Sequence, residues 1–262
     1  MKAKTNGIET NYELHGKEGA PWLVLSHSLA CSVRMWDPQI AALKGSYRIL
    51  AYDTRGHGAS EAPKGAYTLE MLADDLKALL DQLKVKNPHY CGLSMGGMIG
   101  QTFALKYPGV FKTLMLADTT SRYPVEAAAT WKDRIKLAEE QGMAPIVQPT
   151  LERWFTEAFR KSNPEPVAAI AKLIAATPVA GYAGCCHAIP KINLTARLKE
   201  IKTPMLVICG DQDPGTPPAM AQEIHENAPG SKLVMIPQAA HLSNLENPAA
   251  FTKAMQEFLA AH

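Results

Sequence analysis

Apolar and polar residues alternate near the amino terminus, and the pattern then changes to short unbroken apolar runs. Residues 8–14 alternate after Asn6-Gly7, a pair that suits the two positive-φ positions of a type I′ turn, so residues 1–16 are predicted to form a hairpin. The later runs do not alternate, which is typical of strands buried on both faces. These runs are residues 22–25, 47–52, 89–93, 114–117, 205–209 and 232–236.

Segments with helical periodicity separate the apolar runs. Residues 69–83 place their leucines on one stripe, and a helix-like segment from residue 95 stops at Pro108-Gly109. Two further helices are predicted at residues 219–227 and from Pro248 onward. Strands and helices in alternation predict an α/β fold with a mostly parallel sheet and crossover helices.

The alternation fails between residues 121 and 189. Here three helical stretches, residues 122–141, 151–161 and 165–176, are interrupted by prolines with no strand between them. We therefore expect a helical cap at residues 121–189, inserted into one α/β core made of residues 1–120 and 190–262.

Composition and charge favour a globular protein with a small-molecule ligand. The 262 residues are 47% hydrophobic and 20% charged, with a formal net charge of +2 and no basic block, which argues against nucleic-acid or membrane partners. The first residues lack the apolar run of a signal peptide, so a cytoplasmic location is expected. Five cysteines at spacings that match no ligand pattern are predicted to be buried thiols, with no metal site.

The most informative motif is Gly92-Leu93-Ser94-Met95-Gly96, which lies between a predicted strand and a predicted helix. A serine at the tip of so sharp a turn needs residues without bulk two positions before it and two after it. Both positions are glycine. The motif therefore predicts Ser94 as a covalent nucleophile.

A serine nucleophile needs a base, and the base needs an orienting acid. His241 lies in a loop between the last predicted strand and the last helix, and Asp213 follows the strand at 205–209. Asp213 is the favoured acid, with Asp118 and Asp211 as open alternatives. Of the remaining histidines, His27 and His57 are expected near the site in supporting roles.

Acyl transfer also requires two backbone donors for the developing oxyanion. Met95 supplies one at the start of its helix. Leu29, in the loop Ser26-His27-Ser28-Leu29-Ala30 after the first buried strand, is predicted to supply the other.

With these residues placed, the sequence resembles the α/β-hydrolases from end to end and is most similar, within them, to the 3-oxoadipate enol-lactonases. The stretch Tyr52-Asp53-Thr54-Arg55-Gly56-His57-Gly58-Ala59-Ser60 is shared by many hydrolases of this fold. More discriminating are the segments Met35-Trp36-Asp37-Pro38-Gln39, Arg153-Trp154-Phe155-Thr156 and Gly181-Tyr182-Ala183-Gly184-Cys185-Cys186. The chain departs from the lactonase pattern at His27-Ser28-Leu29-Ala30, where Asn-Ser-Leu-Gly is common.

The resemblance implies that Ser94 opens a five-membered enol lactone, that His241 helps the enolate leave, and that water releases an oxo-acid without any cofactor. This lactone carries a carboxylate outside the bond that is broken, so its pocket needs a positive group away from Ser94. The candidate cations are Arg34, Arg134 and Arg153. The tryptophans predicted to line the same pocket are Trp36, Trp131 and Trp154.

Other functions predict different residues. A broad carboxylesterase or perhydrolase is expected to have a proline shortly after Leu29, where this chain has Ala30 and Cys31. A haloalkane dehalogenase would have Asp at position 94, and a carbon–carbon bond hydrolase would have a glycine-richer oxyanion loop. A receptor that keeps the fold and turns over slowly would have the same pattern, and it stays open as an alternative.

Overall fold

The computed structural model describes all 262 residues and contains eight strands. Each strand lies within one residue of a predicted run, or within the predicted hairpin. The strands are β1 (Lys2–Thr5), β2 (Ile8–His15), β3 (Trp22–Ser26), β4 (Arg48–Tyr52), β5 (His89–Leu93), β6 (Thr113–Ala117), β7 (Met205–Gly210) and β8 (Lys232–Ile236).

All eight strands belong to one sheet, in the order β1-β2-β4-β3-β5-β6-β7-β8. The pairs β1/β2 and β2/β4 are antiparallel, and every other pair is parallel. Asn6 and Gly7 both have positive φ, 41° and 81°, and join the first two strands as a hairpin. The predicted mostly parallel α/β sheet with an amino-terminal hairpin is confirmed.

Eleven helices accompany the sheet. They are α1 (Asp37–Leu43), α2 (Leu69–Gln82), α3 (Met95–Lys106), α4 (Ala127–Gln141), α5 (Ala144–Trp154), α6 (Glu157–Ser162), α7 (Pro164–Ala176), α8 (Val179–Ala188), α9 (Pro218–Asn227), α10 (Ser243–Glu246) and α11 (Pro248–Ala260). The apolar stripe of α2 is buried as predicted, and Thr68 caps this helix by accepting a hydrogen bond from the Met71 amide.

The helices between β6 and β7 differ most from prediction. Helix α5 runs through Pro149, which was expected to interrupt it, and the segment predicted at 151–161 is divided between α5 and α6. Helix α8 was not predicted, because its two glycines lower helix propensity. A Cβ at position 181 would lie 1.9 Å from the carbonyl oxygen of Gly56, so the glycine is needed for a close approach of two backbones.

The parallel strands place the candidate residues at one edge of the sheet. Strands β5, β6 and β7 are buried along their whole length, and their carboxyl ends meet at that edge. Ser94 follows β5, Asp118 follows β6, and Asp213 lies in the loop after β7. The loop after β3 brings Leu29 to the same edge.

The five cysteines are buried and form no disulfide, which confirms the prediction of buried thiols. No single helix is both long enough and apolar enough to span a membrane. The bent pair Pro164–Ala176 and Val179–Lys191 meets the test only when the two helices are taken together, by length and composition.

Candidate active site

Ser94 occupies a strained turn between β5 and α3. Its φ of 56° and ψ of −113° lie outside the regions that residues with a side chain prefer. The turn is tight on both sides. A Cβ at position 92 would lie 2.3 Å from the Gly96 carbonyl oxygen, and a Cβ at position 96 would lie 2.3 Å from that of Ser26. The two glycines of the motif are therefore required by close packing.

The structure brings Ser94, His241 and Asp213 into one hydrogen-bonded chain. Nε2 of His241 lies 2.9 Å from Oγ of Ser94, and Nδ1 lies 2.8 Å from Oδ2 of Asp213. All three residues are buried, with His241 only 4% exposed. This geometry allows the imidazole to take the serine proton while the carboxylate holds the ring in place.

The carboxylate of Asp213 is fully hydrogen-bonded. Besides His241, it accepts from the amides of Gly215 and Thr216 and from Oγ1 of Thr216. Burial alone would raise the pKa of Asp213, but the charge of His241 and these hydrogen bonds outweigh it and hold the pKa below its ordinary value. Thr216 was missed by sequence reasoning, although it stands only three residues after Asp213.

The pKa of His241 is shifted in the opposite direction from that of Asp213. Burial lowers its pKa, but the charge and hydrogen bond of Asp213 outweigh burial, so the pKa is raised above its ordinary value. The ring of Trp154 stacks on that of His241, with centroids 6.0 Å apart. Asp211, one of the alternative acids, accepts instead from the amide of Ala239.

The loop after β3 is held by the two supporting histidines. Nε2 of His57 accepts from the amide of Ala30, and Nε2 of His27 accepts from the amide of Thr54, each at 2.9 Å. Their Nδ1 atoms face the backbone oxygens of Arg55 and Ser28, so both rings are neutral. Burial lowers the pKa of His57 to about 3.

The two predicted oxyanion donors are free for a ligand. The amide of Leu29 makes no hydrogen bond in the structure, and this residue lines the same cavity as Ser94. Met95 is the first residue of α3, where amides have no acceptor within the helix. Ser28 lines the cavity too, and its buried Oγ has no hydrogen-bond partner.

A cavity of about 210 Å³ opens above Ser94 between the sheet edge and helices α4, α5 and α8. Four of the six predicted substrate-contact residues line it, namely Trp131, Arg134, Arg153 and Trp154. Sequence reasoning missed Tyr123 and Tyr182, which line the same side. No regular spacing in the sequence connects these two tyrosines to the site, since they come from different segments.

Two predicted substrate residues lie elsewhere, and these predictions are wrong. Arg34 is half-exposed and pairs with Glu13 and Asp37, so its guanidinium is already occupied outside the cavity. Trp36 is fully buried against Phe251, with ring centroids 6.1 Å apart. Both belong to a turn before α1 that faces the core and the hairpin rather than the cavity.

One group of side chains has metal-ligand chemistry. Ligand atoms of Asp118, Cys209 and Asp213, all three buried residues, lie within 4.8 Å of one another. Both carboxylates are already satisfied by protein donors, so the group fits a hydrogen-bond network better than an ion site.

Comparison with known proteins gives the class. The sequence model of the alpha/beta hydrolase fold family matches residues 21–248. The chain belongs to the α/β-hydrolase family and is a hydrolase enzyme.

Within the family, the chain is similar to enol-lactonases, as its sequence predicts. It is 39% identical to 3-oxoadipate enol-lactonase 2 of Acinetobacter baylyi over 249 residues, which cover 95% of this chain and 92% of the relative. The enol-lactonase from Burkholderia xenovorans LB400 matches with a TM-score of 0.96 and 39% identity, over 99% of this chain and 100% of that one. A thermophilic esterase from Thermogutta terrifontis, with malate bound, matches with a TM-score of 0.94 and 30% identity, over 100% of this chain and 98% of the other.

Proposed function

We propose that this protein is a serine hydrolase that cleaves 3-oxoadipate enol-lactone through an acyl-enzyme. The observation that carries the proposal is the chain of hydrogen bonds from Asp213 through His241 to Ser94, at 2.8 Å and 2.9 Å, on a strained turn beside unpaired backbone amides. Similarity to the enol-lactonases supports the substrate.

The first half-reaction forms the acyl-enzyme. Nε2 of His241 takes the proton of Ser94 as Oγ attacks the lactone carbonyl carbon, and the carbonyl oxygen becomes an oxyanion bound by the amides of Leu29 and Met95. Collapse of the tetrahedral intermediate breaks the bond between the acyl carbon and the ring oxygen. The enolate leaves and receives the proton held by His241.

The second half-reaction restores the enzyme. His241 takes a proton from water, the resulting hydroxide attacks the acyl carbon, and Ser94 leaves with the proton that His241 returns. The product is an oxo-acid with a second carboxylate at the former ester carbon. Protein groups alone perform every proton transfer, so the reaction uses no cofactor.

The charge of the cavity supports an anionic substrate. Arg134 and Arg153 line it, and neither guanidinium makes a hydrogen bond or an ion pair in the structure. Arg134 packs over the Trp131 ring, 4.6 Å from its centroid. Burial and the charge of Arg134 lower the pKa of Arg153, and no carboxylate acts on it. A substrate carboxylate would give these two neighbouring cations the negative partner that they lack.

We further propose that residues 121–189 act as a cap and residues 1–120 and 190–262 as the core. The segment supplies most of the cavity wall opposite Ser94, including both arginines. In this arrangement the core performs the chemistry and the cap recognises the carboxylate.

A broad esterase is the second candidate, favoured by the similarity to the Thermogutta esterase. Steady-state turnover of the enol lactone and of p-nitrophenyl acetate separates the candidates. We expect kcat/KM for the lactone to exceed that for the neutral ester by about 100-fold or more. Equal values would favour a broad esterase or perhydrolase, and a single-turnover burst with both substrates would indicate a slow receptor.

A further inference from the structure

Asp118 is a buried acid that the proposed reaction does not use. It follows β6 directly, is fully buried, and has a positive φ of 44°, which is unusual for a residue with a side chain. Its amide donates to the Ile208 carbonyl on β7 at 2.9 Å. A strained, buried acid beside the candidate triad calls for a physical explanation.

The carboxyl group of Asp118 joins the end of β7, where the Asp213 loop begins, to the start of α10, where the His241 loop ends. Its Oδ1 accepts from the amide of Gly210 at 2.8 Å, and its Oδ2 lies 2.5 Å from Oγ of Ser243. Gly210 stands three residues before Asp213, and Ser243 stands two residues after His241. One side chain therefore holds together the two loops that carry the base and its orienting acid.

We propose that Asp118 is a positioning residue: as a neutral carboxylic acid, it locks the Asp213 loop to the His241 loop without placing a second negative charge beside the pair. The proposal rests on the proposed serine hydrolysis. Asp118 does not line the cavity and its carboxyl group makes no hydrogen bond to Ser94, so its role is exerted through Asp213 and His241.

The surroundings of Asp118 favour its neutral form. Burial, and next the negative charge of Asp213, raise the pKa of Asp118 to about 8, while His241 and the bonds from Ser243 and Gly210 act in the opposite direction. The other titratable neighbours are the thiols of Cys91 and Cys209. Burial raises the pKa of each thiol, so both stay uncharged. At neutral pH, Asp213 is then the one negative charge among these groups.

The neutral form matters for the base. An ionised Asp118 would raise the pKa of His241 further and favour the imidazolium, which cannot take the serine proton. In its neutral form Asp118 keeps the contacts with Gly210 and Ser243 that join the two loops, without adding that negative charge. Asp118 is also distinct from the orienting acid, because His241 Nδ1 faces Asp213.

Asp118→Asn and Asp118→Ala test the proposal with p-nitrophenyl acetate, because each removes a different property. Asparagine is neutral and retains an acceptor for the Gly210 amide and a donor for Ser243, so it should keep the acid limb of the kcat/KM profile at its wild-type pH. Alanine removes the anchor, so kcat should fall about 10- to 100-fold, with KM changed less than about threefold. The asparagine variant should retain about tenfold more activity than the alanine variant.

Three results would overturn the inference. A shift of the acid limb to lower pH in Asp118→Asn would mean that Asp118 is ionised and raises the pKa of His241. Equal losses in the two variants would mean that the charge is required, and full activity in Asp118→Ala would mean that no positioning occurs. If the alanine variant does not fold, Ser243→Ala removes one of the two bonds and should lower kcat in the same way; full activity there would count against the anchor.

Failure of the proposed function would look different. Asp213→Asn should cost about 10⁴-fold in kcat, as in other triads. A larger loss from Asp118→Asn than from Asp213→Asn would make Asp118 the orienting acid. Wild-type protein without turnover of any ester would contradict the serine hydrolysis itself, and with it the role of Asp118.

Discussion

The two sides of the cavity differ in how their polar groups are satisfied. On the core side, the carboxylate of Asp213 receives four hydrogen bonds, and His241 is held at both ring nitrogens. On the side formed by α4 and α5, Arg134 and Arg153 face the cavity without an acidic partner. The hydrogen bonds of the candidate triad are complete without a ligand, whereas the two arginines have no partner until one binds.

This difference separates chemistry from recognition. Groups that are already hydrogen-bonded need no reorganisation when charge develops in a transition state. Polar groups that are removed from water without hydrogen-bond partners cost free energy until a ligand provides those partners. We therefore expect substitutions on the core side to lower turnover of every ester, and substitutions on the arginine side to affect only anionic substrates.

The largest expected effect on activity comes from substituting Ser94 on the core side. Ser94→Ala should lower kcat by about four to six orders of magnitude on both the lactone and p-nitrophenyl acetate, because triad members act as a unit. His241→Ala should do the same. Circular dichroism and thermal unfolding should show an intact fold. If Ser94→Ala kept more than about a tenth of wild-type kcat, Ser94 could not be the nucleophile.

A smaller, substrate-dependent effect is expected from Arg153→Met. A guanidinium paired with a desolvated carboxylate contributes about 2 to 4 kcal/mol, so kcat/KM for the lactone should fall roughly 30- to 1000-fold. The neutral ester has no carboxylate to lose and should be hydrolysed at close to the wild-type rate. Arg134→Met tests the second cation in the same way.

Arg34→Met is the matched control for these variants. It removes the same charge from the chain, but Arg34 is paired with Glu13 outside the cavity, so both substrates should be unaffected. Equal losses on lactone and ester in Arg153→Met would point to damaged packing. If neither Arg153→Met nor Arg134→Met lowered kcat/KM for the lactone, these arginines would not bind the substrate carboxylate, and a broad esterase would be favoured.

The core side was also the more predictable from sequence. The signals on the core side are local in the sequence. The glycines flanking Ser94 follow from the close packing of a sharp strand-to-helix turn, and positions after strand ends identify Asp213 and His241 because parallel strands end at one edge. The sheet was predictable for the same reason, since buried strands show as unbroken apolar runs.

The arginine side depends on contacts that sequence spacing does not encode. In the sequence, Arg34 is as good a candidate as Arg134 and Arg153. Only the fold shows that its guanidinium is paired with the carboxylate of Glu13, 21 residues away. Helix α8 was missed because local propensity penalises Gly181, whereas its packing against Gly56 requires a residue without a side chain.

The smallest expected effect concerns the support of the oxyanion loop, and it contrasts two buried histidines of the same site. His241 has a raised pKa, so its contribution to folding stability is fully present below its unfolded pKa and is lost as pH rises through the folded value. His57 has the opposite shift, because burial lowers its pKa to about 3. Its contribution is therefore present above the unfolded pKa of about 6.5 and is lost as pH falls towards 3.

His57→Gln should isolate that contribution, because glutamine can still accept from the Ala30 amide but cannot bind a proton. Between about pH 6.5 and 4, the free energy of unfolding of the wild type should include a loss of about 1.4 kcal/mol per pH unit from His57, and the variant should lack this component. Urea unfolding at several pH values measures the slope. The exposed His187→Gln removes a histidine without touching the loop and should keep the wild-type slope. An unchanged slope in His57→Gln would mean that His57 binds a proton equally well in the folded and unfolded chains, so that its bond to Ala30 does not hold the oxyanion loop against protonation.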